Sequence, residues 1–272
     1  MPELPEVETT LRGIELKLVG RVLASVAIRQ PKLRWPITPE LSHDMVGEVI
    51  THLSRRGKYI GIHTQKGTLI VHLGMSGSLY FVAADTPPMF HDHVDFCFAD
   101  DDVWLRYTDP RRFGAILWTT NDWLEHELIK HLGPEPLSEA FNVDQLYERA
   151  KGRKVPIKTF IMDSKVVVGV GNIYANEALF QAGIRPDRLA GSISKARLGR
   201  LVECIKVVLA AAIKQGGTTL KDFVGGDGKP GYFKQELAVY GRAGQPCVVC
   251  EAPLIEIRQA QRSTVFCRHC QS

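Results

Sequence analysis

Apolar side chains at Leu4, Val7, Leu11, Ile14 and Leu18 recur in steps of three and four, the spacing of one helical face. The pattern predicts an amphipathic helix over 3–18. Glu3, Glu6 and Glu8 put negative charge in its first turns, where the helix dipole favours it, and Pro2 suits a helix start. From about Val22 to Trp118 the texture changes to short β-rich runs: VLASVAI, EVITHL, YIGIHT, TLIVHL, VDFCF, VWLRY and AILWT. Clusters of Gly, Pro and Asp separate them, with Asp100-Asp101-Asp102 as a solvated turn, and short strands so spaced predict a sandwich or barrel. From about Asn121 the pattern predicts helices over 121–131, 142–150, 156–162, 172–182 and 194–214. The segment HLGPEPLSEAFN reads as a domain linker. Residues 216–233 hold six glycines in 18 positions; no regular element fits, and a mobile loop is expected.

A hydrophobic fraction of 44% and 272 residues suffice for a sizeable core and exclude a mainly disordered chain. No apolar run approaches the roughly 20 residues of a spanning helix, and the three early glutamates argue against a secretory signal. The net charge of +4 is uninformative until it is divided. Residues 1–130 hold 14 basic and 17 acidic side chains, whereas 131–272 hold 20 and 13. The second half is therefore the basic one.

Four of the six cysteines fall in the last 26 residues, as Cys247-x2-Cys250 and Cys267-x2-Cys270 with 16 residues between the pairs. Two such knuckles supply the four soft ligands of a tetrahedral zinc site, and the intervening residues suit a ribbon hairpin with its tip near Gln261-Arg262-Ser263. Four thiolates close the coordination shell, so the metal is structural. Cys97 and Cys204 lie on apolar periodic segments and read as core residues. An arginine on a metal-stapled turn, Arg262, is well placed to grip phosphate; taken alone it is a solvated surface arginine.

Other residues gain meaning only together. With Met1 removed, Pro2 would present a secondary amine able to attack an aldehydic carbon and form an iminium, and Glu3 is an adjacent acid/base. Taken alone, Pro2-Glu3 is simply a helix start, and Lys58 in RRGKY an exposed strand lysine. Met75 and Phe113 would pass for core residues, although Gly74, Gly77 and Gly114 favour exposed turns. Gly169-x-Gly171 lacks the third glycine of a dinucleotide fingerprint, since Tyr174 stands there. The helix start at Asn172 instead suits a phosphate. His91-Asp92-His93 lacks a fourth metal ligand.

The segments MPELPEVE, HLGMSGSL (72–79), TDPRRFG (108–114), VGVGNIYANEALF (168–180), GGTTLKDF (216–223) and the terminal cysteine pairs occur in this order. Together they span the chain and resemble bacterial formamidopyrimidine-DNA glycosylase. The resemblance implies an α+β multidomain fold. Its parts would be an N-terminal β-sandwich with flanking helices (1–131), a helix-two-turn-helix domain (132–240) and a zinc ribbon (241–272), with DNA between the halves. It implies a bifunctional enzyme of base excision repair that removes oxidised purines such as 8-oxoguanine and formamidopyrimidines. The enzyme would then nick the strand by β,δ-elimination. Pro2 would be the nucleophile at the sugar C1′, Glu3 the acid that opens the sugar, Glu6 a supporting carboxylate and Lys58 the second acid/base, with Arg262 gripping phosphate beside them. Met75, Arg111 and Phe113 would fill the hole left by the extruded base, and His91, Arg111, Arg153 and Asn172 would contact the backbone. Lys221, Thr218 and Thr219 would belong to a lid over the base, and Tyr240 would line the same pocket.

The expected cofactor is one structural zinc with no organic group. The expected partner is damaged double-stranded DNA, bound by a monomer away from membranes, in the cytoplasm with the nucleoid. Two rivals remain: an endonuclease VIII-type enzyme acting on oxidised pyrimidines, whose members start P-E-G-P-E where this chain has Leu4, and a DNA-binding protein without catalysis.

Overall fold

The computed structural model describes residues 2–99, 102–216 and 237–272. Met1, Asp100, Asp101, Thr218, Thr219 and Lys221 lie outside the described residues. The chain divides into two compact units, the first holding the described residues up to Lys130. The second holds His131–Lys214 and the described residues from 237 on.

The first unit opens with helix α1 (Leu4–Leu18), whose periodic residues Leu4, Val7, Leu11, Ile14 and Leu18 are all buried. Eight strands and a short helix follow: β1 (Leu23–Ile28), α2 (Leu41–Asp44), β2 (His52–Arg56), β3 (Tyr59–His63), β4 (Thr68–His72), β5 (Ser78–Ala83), β6 (Asp92–Phe98), β7 (Val103–Thr108) and β8 (Ala115–Thr119). They form two four-stranded antiparallel sheets, ordered β1-β6-β7-β5 and β2-β3-β4-β8. One hydrophobic cluster takes Leu23, Phe96, Leu105 and Leu79 from the first sheet, Leu53, Ile60, Val71 and Ile116 from the second, and Val7 and Leu11 from α1. The two sheets thus share one core in a sandwich, and β3, β4, β6 and β8 are buried along almost their whole length.

Three expectations shift. EVITHL is mostly not strand: Val49 makes an isolated bridge to Val22, and β2 starts at His52. SLYFVA, absent from the β-rich runs read from the sequence, forms β5. The helix expected over 121–131 reduces to one 3-10 turn, Trp123–Glu125. There the Asp122 carboxylate accepts from Leu124 N at 2.9 Å, and a local side-chain bond of this kind competes with helix propagation.

The second unit holds α3 (Val143–Ala150), α4 (Ile157–Ile161), α5 (Asn172–Ala182), α6 (Lys195–Lys214) and the hairpin β9 (Ile255–Gln259) and β10 (Arg262–Phe266). The ribbon is not a separate body. Phe180 of α5 packs with Val239, Leu254, Val265, Cys247 and Cys267 in one small core. No helix among the described residues is long and apolar enough to cross a membrane.

Candidate active site and nucleic-acid interface

In the first unit the start of α1 is a closed polar knot. Pro2 and Glu3 are buried, and Glu6 is fully so. Glu3 N donates to Glu6 Oε2 at 2.8 Å, one half of a reciprocal capping box between the two carboxylates and the helix-start N–H groups. Glu3 and Glu6 thus leave Pro2 at a fixed helix entrance.

Lys58 sits in the tight turn between β2 and β3, where Arg56 pairs with Tyr59 across Gly57-Lys58. Gly57 has φ +59°, which places glycine where a two-residue hairpin turn needs left-handed backbone. Glu8, which in the sequence offers only first-turn negative charge, ties this turn to α1. Glu8 accepts from Arg55 Nε at 2.7 Å and from Arg12 at 2.8 Å, and Arg55 also donates to Gly57 O at 3.0 Å. Burial works against the Glu8 carboxylate, but Arg55 and Arg12 outweigh it and hold its pKa below the usual range. Beside the turn, burial and then the Lys58 and Arg34 charges lower the pKa of His72 to about 4. His72 is neutral at physiological pH, and its Nδ1 accepts from Gly74 N at 3.0 Å.

Met75 and Phe113 are 37% and 44% exposed, so neither is a core residue. The Arg111 guanidinium stacks over the Phe113 ring, 4.8 Å from its centroid. The loops that carry them meet back to back. A Cβ at Gly74 (φ +63°) would lie 2.4 Å from the Phe113 carbonyl carbon, and one at Gly114 would lie 1.7 Å from Tyr107 Oη. Only glycine permits this approach. His91 is half-buried with its ring edge-on to exposed Phe90. The neighbours of His91 are structural: Asp92 pairs with Arg106 at 3.2 Å, and His93 bonds the Asp109 carbonyl at 2.8 Å.

In the second unit the four cysteine sulfurs lie within 4.8 Å of one another. Cys247 and Cys270 are 3.8 Å apart, Cys250 and Cys267 3.4 Å. A zinc–sulfur bond of about 2.3 Å requires sulfur–sulfur edges of about 3.8 Å in a tetrahedron. The four thiolates fit one structural zinc and leave no position for substrate. They are the only such cluster among the described residues.

The ribbon tip is Ala260-Gln261, not the Gln261–Ser263 segment expected. Both residues have positive φ, +46° and +62°, and Arg262 pairs with Gln259 as the first residue of β10. Arg262 shares a cavity of about 560 Å³ with Arg149, Arg153, Lys158, Lys165 and Gln259, so a set of cations converges there. Asn172 opens α5 after Gly171 and is not among the residues lining that cavity. Tyr240 is half-buried, and its N–H donates to Glu177 at 2.8 Å.

Three polar residues not anticipated from sequence hold this arrangement. Lys158, 1% exposed, donates to Ser263 O at 2.9 Å and Thr264 Oγ1 at 2.6 Å, directly behind Arg262. Asn176 accepts from Val265 N at 2.9 Å. Glu177 accepts from the N–H groups of Ala238, Val239 and Tyr240 at 2.8, 3.0 and 2.8 Å. Their only signal is a polar residue at an otherwise apolar helical position, as in IKTFI and YANEALF.

The chain matches three family descriptions: formamidopyrimidine-DNA glycosylase N-terminal domain over residues 1–116, the H2TH domain of the same glycosylase over 132–224, and the zinc finger found in FPG and IleRS over 244–272. It is 89% identical over 272 residues to a formamidopyrimidine-DNA glycosylase of Marinomonas sp. (strain MWYL1), covering all of both chains. It is 56% identical over 271 residues to that of Cellvibrio japonicus, again over both whole chains. Among solved structures it resembles MutM (Fpg) of Thermus thermophilus, with a TM-score of 0.89 and 36% identity over 99% of this chain and 98% of that one. It also resembles Lactococcus lactis Fpg bound to DNA containing N7-benzyl-Fapy-dG, with a TM-score of 0.90 and 35% identity over 99% of each chain. The same Lactococcus lactis protein has been solved with DNA containing an oxidised pyrimidine, at a TM-score of 0.90 and 34% identity over 99% of each chain.

Proposed function

Because this chain belongs to the formamidopyrimidine-DNA glycosylase family, as a zinc-binding DNA-repair glycosylase, we propose that it excises oxidised purines from duplex DNA and then cleaves the strand by β,δ-elimination. The Pro2 amine attacks the sugar C1′ as the bond from C1′ to the damaged base breaks and the base leaves; opening of the C1′–ring-oxygen bond then leaves a Schiff base, whose positive charge acts as the electron sink for elimination. Glu3 delivers the proton that opens the sugar, and Glu6 holds Glu3 N and fixes the helix entrance. Lys58 is the second acid/base. Arg111, Met75 and Phe113 occupy the space of the extruded base, while His91, Arg153, Asn172 and Arg262 hold the backbone.

The observation that most supports this reading is the anchoring of two candidate catalytic groups to one helix. Pro2-Glu3 is fixed by the capping box of α1, and the Lys58 turn is fixed to α1 through Glu8 and Arg55. Groups held in this way need little reorganisation when a reaction starts.

Duplexes carrying 8-oxoguanine or thymine glycol, each opposite cytosine or adenine, test the reading. We expect faster excision of 8-oxoguanine and strand ends that both carry phosphate. Preference for thymine glycol would move the enzyme to the pyrimidine-directed branch, and binding without cleavage would leave a non-catalytic DNA-binding protein.

A further inference from the structure

We infer that Asp109 is the positioning residue that sets Met75, Arg111 and Phe113 as one rigid wedge. The inference rests on the reading of those three side chains as fillers of the emptied base position. Asp109 is fully buried. Its Oδ1 accepts from Ser76 Oγ at 2.8 Å and from Arg111 N at 3.3 Å. Its Oδ2 accepts from Gly114 N at 2.8 Å and Tyr107 Oη at 3.3 Å. Ser76 Oγ in turn accepts from Arg111 N at 3.2 Å. One carboxylate therefore joins the residue after Met75 to the residues on either side of Arg112-Phe113.

The backbone of Asp109 extends the same bolt to a third segment. Its N–H donates to His91 O at 3.0 Å, and its carbonyl accepts from His93 Nε2 and from Arg112 N at 2.8 and 3.1 Å. Burial raises the Tyr107 pKa, and the Asp109 charge raises it further, so the phenol stays a neutral donor. Arg112 is held at φ +54°, a left-handed conformation that a non-glycine residue keeps only when its surroundings enforce it. Asp109 supplies that enforcement and exposes none of its own surface, so it acts on DNA only through the three side chains it aligns.

Asp109→Asn keeps the shape and replaces one acceptor oxygen by an N–H₂ that faces N–H donors. Three readouts on the full zinc-loaded chain distinguish positioning from a general loss of fold: melting temperature, 2-aminopurine fluorescence next to 8-oxoguanine to follow base extrusion, and cleavage of a preformed abasic site. We expect extrusion and 8-oxoguanine excision to fall by about 100-fold, the size of a misplaced catalytic geometry, with abasic-site cleavage within a few-fold of the parent. Ser76→Ala, which removes the half-buried hydroxyl that links Asp109 Oδ1 and Arg111 N and leaves the carboxylate's other bonds in place, should show the same split at smaller amplitude and serves if Asp109→Asn does not fold.

Equal loss of excision and abasic-site cleavage in these variants, or an unchanged fluorescence change, overturns the positioning role. Met75→Ala and Phe113→Ala run in parallel. If they leave extrusion intact, the wedge reading itself fails and the inference falls with it. If they abolish extrusion while Asp109→Asn and Ser76→Ala do not, only the role of Asp109 fails.

Discussion

Two tight hairpins in this molecule each present a cation, and they are held by different physics. The β2–β3 hairpin carries Lys58 on a two-residue turn within a four-stranded sheet. Its backbone need is met by Gly57, and Leu53, Ile60 and Ile62 anchor it in the sandwich core. The β9–β10 hairpin carries Arg262 in a sheet of only two strands, and its turn uses left-handed Ala260 and Gln261 where glycine or asparagine would be at ease. An isolated two-stranded hairpin is marginal in water. Here a four-cysteine metal site, a small core at Phe180 and the buried Lys158 supply what sheet neighbours supply in the first unit. A hydrophobic core can position one cation with no metal, whereas a ribbon of 28 residues from 245 to the C-terminus needs a metal and buried polar bonds to do the same.

The largest expected effect separates the two hairpins outright. Zinc contributes roughly 10 kcal/mol or more to the folding of small zinc modules, so chelation or Cys250→Ser should unfold the ribbon. Amide exchange should lose protection at Ile255–Gln259 and Arg262–Phe266 while Thr68–His72 keeps its own. Loss at both sites would show that the first unit also depends on the metal.

A smaller effect marks the first unit's weakness. His63 is buried on β3, bonded to Ser54 Oγ at 2.6 Å and Thr68 Oγ1 at 3.0 Å and stacked on His52. Burial, then the His52 charge, lowers its pKa to about 4. The unfolded chain takes up a proton near pH 6.5 and the folded chain does not until about 4. The stability of this region is therefore full well above pH 6.5 and declines as the pH falls toward 4, by about 3 kcal/mol at most for His63. His72 adds to the same trend. Thermal melts of the whole protein at pH 7 and pH 4.5 should show a smaller acid loss in His63→Gln than in the parent. An equal loss would remove His63 from the account.

The contrast also explains what could be read from sequence. The zinc ligands were legible because all four announce themselves through local spacing, and the face of α1 was legible because its period is local. The positions of Met75 and Phe113 were legible only through the glycines beside them. Asp109, Lys158 and Glu177 were not, because each also joins a segment distant in the chain, and that link gives the residue its role. Ser76 lies 33 residues from Asp109, and Ser263 lies 105 from Lys158. A buried polar residue gains its meaning from the acceptor or donor it meets, and no spacing rule carries that information. The same limit misplaced the ribbon tip by one residue: nothing in Ala260-Gln261 signals a left-handed turn, and the cross-strand register imposes it.

The proposed reaction stands or falls with the α-amine of Pro2 as the group that forms the covalent link to DNA. Borohydride reduction during turnover of an 8-oxoguanine duplex, followed by mass mapping of the adduct, tests it most directly. The expected result is a DNA-derived mass on the N-terminal peptide at Pro2, and no adduct when the N-terminus is acetylated. An adduct on the peptide carrying Lys58, persisting after acetylation, would contradict it.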